Sequence, residues 1–204
     1  MKRLIVGMSG ASAAIYGIRL LEVLKETDVE THLVISSAAR KIILMETDFT
    51  VEEVEAMANY AYDIDDIGAA IASGSFKTDG MVIIPCSMKS LSAIANSYSA
   101  NLLLRAADVT LKERRRLVVV VRETPLHRGH LQLMLRVTDM GAIIFPPLPA
   151  FYHRPQTIED IVDHTVGRVL DLFGIDHALF ERWGGSTGLT TGGQVASSRP
   201  DYKP

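Results

Sequence analysis

Hydroxyls, small side chains and charges recur just after the apolar runs of this chain. Ser9-Gly10-Ala11-Ser12-Ala13-Ala14 follows the run Leu4-Ile5-Val6-Gly7-Met8, and Ile15, Ile18, Leu21, Glu22 and Lys25 then fall at helical spacing. A strand, a loop of small residues and a helix start in that order can hold an anion. The first helical turn carries backbone N–H groups without intrahelical partners, and the helix dipole adds partial positive charge. Small side chains let a phosphate reach those amides, and Ser9 and Ser12 can add hydroxyl bonds. A plain strand-to-helix turn with Ser12 as N-cap accounts for the same residues. Both readings stay open on this segment. Two nucleotide motifs are excluded: Gly7-x-x-Gly10-x-x-Ala13 lacks the G-x-G-x-x-G spacing, and no Gly-Lys-Ser/Thr follows to make a P-loop.

Other post-strand segments divide in the same way. Arg122-Glu123-Thr124-Pro125 follows Leu117–Val121. It reads either as a solvated loop with Pro125 at the first position of the next helix, or as an anion-binding Arg beside a proton-moving carboxylate whose pKa burial raises. Ser87-Met88-Lys89-Ser90 follows Ile83-Ile84-Pro85-Cys86; Ser87 is a cap or a second ligand contact. Cys86 has no neighbouring His to activate it and reads as a small buried apolar residue. Arg105, Lys112, Arg114, Arg115 and Arg116 form the one basic concentration, either a solvated helix end or a source of phosphate ligands. Arg168 lies at the edge of the stripe Ile158, Ile161, Val162, Val166, Val169 and Leu170. It either snorkels or holds a second anion with Tyr152. His127 and His130 share a helix face, but no carboxylate or thiolate completes a ligand set, so no metal is expected.

These residues need a scaffold that brings strand ends together. Strands are predicted over Lys2–Met8, Glu30–Ile35, Gly80–Pro85, Arg116–Val121 and Ala142–Phe145, apolar throughout as in a sheet covered on both faces. Helices are predicted over Ser12–Lys25, Ala38–Met45, Val51–Ala58, Ser87–Ala95, Leu102–Lys112, Leu126–Met140 and Ile158–Leu172, with the stretch between Tyr60 and Asp79 unplaced. The expected fold is a three-layer α/β domain with a mostly parallel, Rossmann-like or flavodoxin-like sheet. Its ligands would sit at the carboxyl ends of the strands, which adds Ser36-Ser37 and residues 146–152 to the candidates.

With 204 residues, one domain over 1–183 is expected, followed by a disordered Gly- and Ser-rich tail over 184–204. A net charge of −3 gives no case for nucleic acid or an anionic membrane. No apolar stretch reaches the roughly 20 residues of a membrane span. A single cysteine excludes an intrachain disulfide and fits a reducing cytoplasm. The mean hydropathy of +0.18 is high for a soluble monomer. With Trp183 standing alone after the last helix, it points to a homo-oligomer.

Taken together the segments resemble the flavin prenyltransferases of the UbiX type over roughly residues 3–183. The resemblance is carried by Ser9 to Gly17, Glu46-Thr47-Asp48, Pro85-Cys86-Ser87, Arg105-Ala106-Ala107-Asp108-Val109 through Lys112-Glu113-Arg114-Arg115, Val121 to Pro125, and Phe151-Tyr152-His153-Arg154-Pro155. It implies an FMN-binding enzyme that moves a dimethylallyl group from dimethylallyl phosphate to N5 and C6 of reduced FMN. The prenylated FMN would serve a separate UbiD-type decarboxylase, and the assembly would be a dodecamer. Carried over by motif, Gly10, Ala11, Ser12, Ser36, Ser87, Met88, Lys89, Ser90 and Arg122 would contact FMN. Tyr152, Arg168, Lys112, Arg105 and Trp183 would hold the prenyl donor. Glu123 would handle protons, with Ser12 beside it.

Ala13 departs from the family's usual Gly and puts the loop geometry in question. The rivals are a flavin-dependent decarboxylase, acting on aromatic acids or peptidyl cysteine, and a non-catalytic flavin-binding subunit of a decarboxylase. The peptidyl-cysteine type carries Pro-x-Met-Asn-x-x-Met where this chain reads Pro147-Leu148-Pro149-Ala150-Phe151-Tyr152.

Overall fold

The computed structural model describes residues 1–182; Trp183 and the expected tail 184–204 lie outside them. Six strands pair in the order β3-β2-β1-β4-β5-β6: β1 (Arg3–Met8), β2 (Glu30–Ile35), β3 (Tyr60–Tyr62), β4 (Gly80–Cys86), β5 (Arg116–Val121) and β6 (Ile143–Ile144). Every pairing is parallel, and Val6 stands between Leu33 of β2 and Val82 of β4.

The apolar runs follow from two covers. Leu4, Val6, Met8, Val82, Ile84, Val118 and Val120 face one core, while Ile5, Met81, Ile83, Val119 and Val121 face the other. With side chains alternating between two buried faces, the strands stay apolar on both sides over most of their length. The first core is covered by α1 (Ile15–Lys25), α2 (Ser37–Glu46), α3 (Val51–Glu55) and α7 (Ile158–Leu172), the second by α4 (Met88–Ala95), α5 (Leu102–Lys112) and α6 (Arg128–Asp139). At Gly17, α1 lies so close to the sheet that a Cβ would stand 2.5 Å from the Ile84 carbonyl oxygen. The strand order reverses between β1 and β4, and chain crossovers leave that point in opposite directions. A crevice opens there, outside the strand carboxyl ends.

The expected elements are present with shifted ends. Helix α1 starts at Ile15, not Ser12, because Ala13 adopts φ +79° and Ala14 is the N-cap. Pro125 does not open α6, which begins at Arg128 after His127, whose Nδ1 accepts from the Gly129 N–H at 3.0 Å. The unplaced stretch contributes the edge strand β3, tied to β2 by Asn59, whose Oδ1 accepts from the Thr31 N–H at 2.8 Å. Ile158, counted in the apolar stripe of α7, is 75% exposed, since the first turn of that helix extends past the sheet. No helix among the described residues is long and apolar enough to cross a membrane.

Candidate flavin site

At the reversal point the carboxyl ends of β1 and β4 are stitched by a buried serine. The Ser9 N–H donates to the Pro85 carbonyl at 3.1 Å, and Ser9 Oγ accepts from the Ser87 N–H at 2.8 Å. Ser36 and Ser87 cap α2 and α4, accepting from Ala39 N–H at 3.1 Å and Ser90 N–H at 3.3 Å. Both helix starts therefore converge on one cleft of about 580 Å³, lined by Gly10, Ser36, Ser87, Lys89 and Ser90 with Leu104 on an apolar wall. Its size and its mix of an apolar wall with a few polar groups are those of a mononucleotide-scale ligand site. Gly10 is required by the geometry: a Cβ there would stand 2.4 Å from Ala38 Cβ at the start of α2.

The anion-ready start of α1 is already occupied by the protein itself. Glu46, the last residue of α2, accepts from the Ala13 N–H at 2.7 Å and the Ala14 N–H at 3.3 Å. Partial burial raises its pKa, but the Ser12 hydroxyl, those two amides and the nearby Arg122 outweigh this and hold the carboxyl below its ordinary range. Of the amides at this helix start, those of Ala13 and Ala14 are capped by an internal carboxylate. The Ser12 hydroxyl bonds the same carboxylate. In the sequence Glu46 stands out only within Glu46-Thr47-Asp48. The available signal was its position, since an acidic residue at a helix C-terminus opposes the dipole unless it has another partner.

Met88 is partly buried and packs against the α4–α5–α6 core. Ala11 is buried, with its N–H donating to the Ser9 carbonyl at 2.8 Å. Arg122 follows β5 at the same end of the sheet, its N–H donating to the Cys86 carbonyl at 3.1 Å. Glu123 is exposed in this chain and accepts from the Thr124 N–H at 3.1 Å. Its expected burial is therefore absent, because the loop after β5 projects beyond both cores. Cys86 is fully buried, and burial pushes its thiol up to about 12, far from a thiolate at neutral pH.

The four described residues expected around the prenyl donor lie in two layers of the fold. Arg105 and Lys112 lie on α5, over one face of the sheet. Arg105 Nε donates to the Ala72 carbonyl at 3.1 Å, and Lys112 pairs with Glu113. Tyr152 and Arg168 belong to the opposite layer. The Tyr152 hydroxyl meets His164 Nε2 of α7 at 2.8 Å, and Arg168 lies one turn further along that helix, 3.9 Å from Asp171. Trp183 lies outside the described residues. The His127 and His130 rings lie tilted by 34° with centroids 3.6 Å apart, and no three His, Cys, Asp or Glu among the described residues converge as metal ligands.

An α/β protein with this strand order and a mononucleotide-sized cleft at its reversal point belongs to the nucleotide-binding class. The pattern of the Flavoprotein family matches residues 1–170. The flavin prenyltransferase UbiX of Escherichia coli K12 is 61% identical over 189 residues, 91% of this chain and 100% of the relative. The crystal structure of AnUbiX (PadA1) in complex with FMN and dimethylallyl pyrophosphate superposes with a TM-score of 0.89 at 52% identity, over 90% of this chain and 98% of that one. A dodecameric FMN-dependent UbiX-like decarboxylase from Escherichia coli O157:H7 gives a TM-score of 0.88 at 50% identity, over 90% of this chain and 100% of that one. The chain belongs to the UbiX-type flavin prenyltransferase family of flavoproteins.

Proposed function

We propose that the protein transfers a dimethylallyl group from dimethylallyl phosphate to N5 and C6 of reduced FMN, and that the prenylated FMN is passed to a UbiD-type decarboxylase. The observation that carries this reading is the cleft at the β1–β4 reversal, where Gly10, Ser36, Ser87 and Ser90 meet an apolar wall. These residues fit a flavin mononucleotide: serines and two helix starts for its polar edge and phosphate, an apolar wall with Ile64, Ala93 and Leu104 for its rings. Reduced FMN, when bound, supplies the nucleophilic ring atoms.

The chain's own residues bind, charge-balance and move protons. Lys89 and Arg122 place cations beside the cleft, and Glu46 sets the Ser9–Ala14 loop from behind. Loss of phosphate from an allylic ester builds negative charge on the phosphate, which Arg105, Lys112, Arg168 and the Tyr152 hydroxyl would stabilise without proton bookkeeping. Glu123, with Ser12, would accept the proton lost from the flavin edge.

The placement of α5 and α7 over opposite faces of the sheet supports a clamp drawn from two copies rather than one. The reading therefore includes a homo-oligomer in which neighbours complete each site. Leu135, Phe151 and Ile158, each more than 60% exposed, are apolar surface for such contacts. The cytoplasmic location expected from the lone buried thiol of Cys86 belongs to the same proposal.

Anaerobic incubation with reduced FMN and dimethylallyl phosphate, in EDTA, should give a flavin heavier by one prenyl unit; a parallel arm with the pyrophosphate reads donor choice. Unchanged flavin in both arms sinks the reading. Carbon dioxide release from an aromatic acid by this protein alone replaces it with a decarboxylase.

A further inference from the structure

Tyr152 sits on a stretch without helix or strand, half exposed, yet its hydroxyl has to be held in place to bind an anion. The structure shows what holds it. His164, buried on α7, meets the phenol oxygen through Nε2 at 2.8 Å. The imidazole cannot swing. The His153 ring stacks on it with centroids 4.5 Å apart and planes 8° from parallel, and Phe180 packs at 4.6 Å. The close approach of Phe180 depends on Gly167, where a Cβ would stand 2.6 Å from Phe180 Cε1. His177 and Arg182 pin the returning segment to Asp171 at 3.2 and 2.7 Å.

We propose that His164 is a positioning residue: from α7 it orients the Tyr152 phenol so that the hydroxyl and the Arg168 guanidinium face one anion, the phosphate of the prenyl donor. The inference rests on the reading that Tyr152 and Arg168 bind that phosphate. Residues four apart share a helix face, so α7 presents His164 and Arg168 on one surface. Burial lowers the pKa of His164, and His153 and Arg168 push the same way against Asp171. The ring is thus neutral at neutral pH. In the tautomer that carries its proton on Nε2 the ring donates to the phenol oxygen, which leaves the phenol's own proton to be given to an anion. A group that only filled space would need neither that nitrogen nor that tautomer.

The test compares KM for dimethylallyl phosphate with kcat at saturating reduced FMN. His164→Leu should raise KM about tenfold, the worth of one well-placed hydrogen bond, with kcat within about twofold. His164→Gln, whose amide can donate, should recover most of the loss. The double variant Tyr152→Phe/His164→Leu should be no worse than Tyr152→Phe alone, because both remove the same contact. If His164→Leu does not fold, His164→Asn, polar but too short to reach the phenol, must give the same KM rise. A wild-type KM in the His164 variants beside a raised KM in Tyr152→Phe overturns the role of His164 alone. A wild-type KM in Tyr152→Phe overturns the placement of Tyr152 as well. Additive losses in the double variant also overturn the inference.

Discussion

Gly10→Ala is the sharpest perturbation of the flavin cleft, because the clash it creates has one address. The new Cβ would stand 2.4 Å from Ala38 Cβ, with the next contacts, Ala38 Cα and C, at ordinary distances of 3.5 and 3.6 Å. Ordinary carbon contacts begin near 3.4 Å, so loop and α2 must separate by about 1 Å, an overpacking that costs about 1–3 kcal/mol. Gly10 and Ala38 both line the cleft, so the separation spoils the ligand surface itself. FMN affinity, read by quenching of flavin fluorescence, should fall about tenfold to a hundredfold. Ala38→Gly removes the opposing methyl. The double variant Gly10→Ala/Ala38→Gly should bind FMN within about threefold of the single Ala38→Gly variant, whose own cost is about 1 kcal/mol of helix stability or less in the first turn. Wild-type affinity in Gly10→Ala would refute the close approach. A double variant as weak as Gly10→Ala would show that the methyl blocks the ligand directly rather than through α2.

Three further outcomes follow from the site. Glu123→Gln should keep FMN binding and slow prenylation by about 10²-fold, seen in single-turnover mass analysis; a wild-type rate would remove its proton role. Glu46→Gln should lower the unfolding free energy by about 0.5–1 kcal/mol at pH 7, a capping anion's worth in a solvent-screened position. Since the folded-state pKa of Glu46 lies below its ordinary 4.5, that difference should persist above pH 4.5 and vanish as pH falls through the depressed value. A gap that grew on acidification would contradict the assignment. Coexpressed Lys112→Ala and Arg168→Ala chains, each inactive alone, should recover about a quarter of wild-type activity if copies mix at random and each site draws α5 and α7 from different copies. No recovery from a verified mixed oligomer would place both residues in one chain's site.

Much of this site was legible because parallel sheets put ligands at strand ends, and the apolar runs mark those ends directly. Ser36, Ser87 and Ser90 stand just after such runs and do line the cleft. Strand β3 was illegible for a physical reason. It is three residues at the sheet edge, its Tyr60 exposed, and its register is set by side chains elsewhere: Asn59 on Thr31, and the Tyr60 ring stacked 4.9 Å from His32. The Glu46 cap was equally hidden, because its partners lie 33 and 32 positions away and no spacing rule connects a helix end to the start of another helix.

The deepest gap concerns Arg105, Lys112, Tyr152 and Arg168. Sequence order and residue type both suit a phosphate clamp, and neither carries information about layers. Only the alternation of the strands, with Val82 facing one core and Met81 the other, fixes α5 and α7 on opposite faces. Under the proposed function each layer then supplies half of a cationic site: Arg105 and Lys112 from α5, Arg168 beside Tyr152 from α7. A cation cluster split this way has no purpose as a stabiliser, since each half is already paired by Asp108, Glu113 or Asp171. Surface pairs of this kind contribute little to folding. On the proposed function they are ligands kept oriented until a second copy and an anion bring the two halves together.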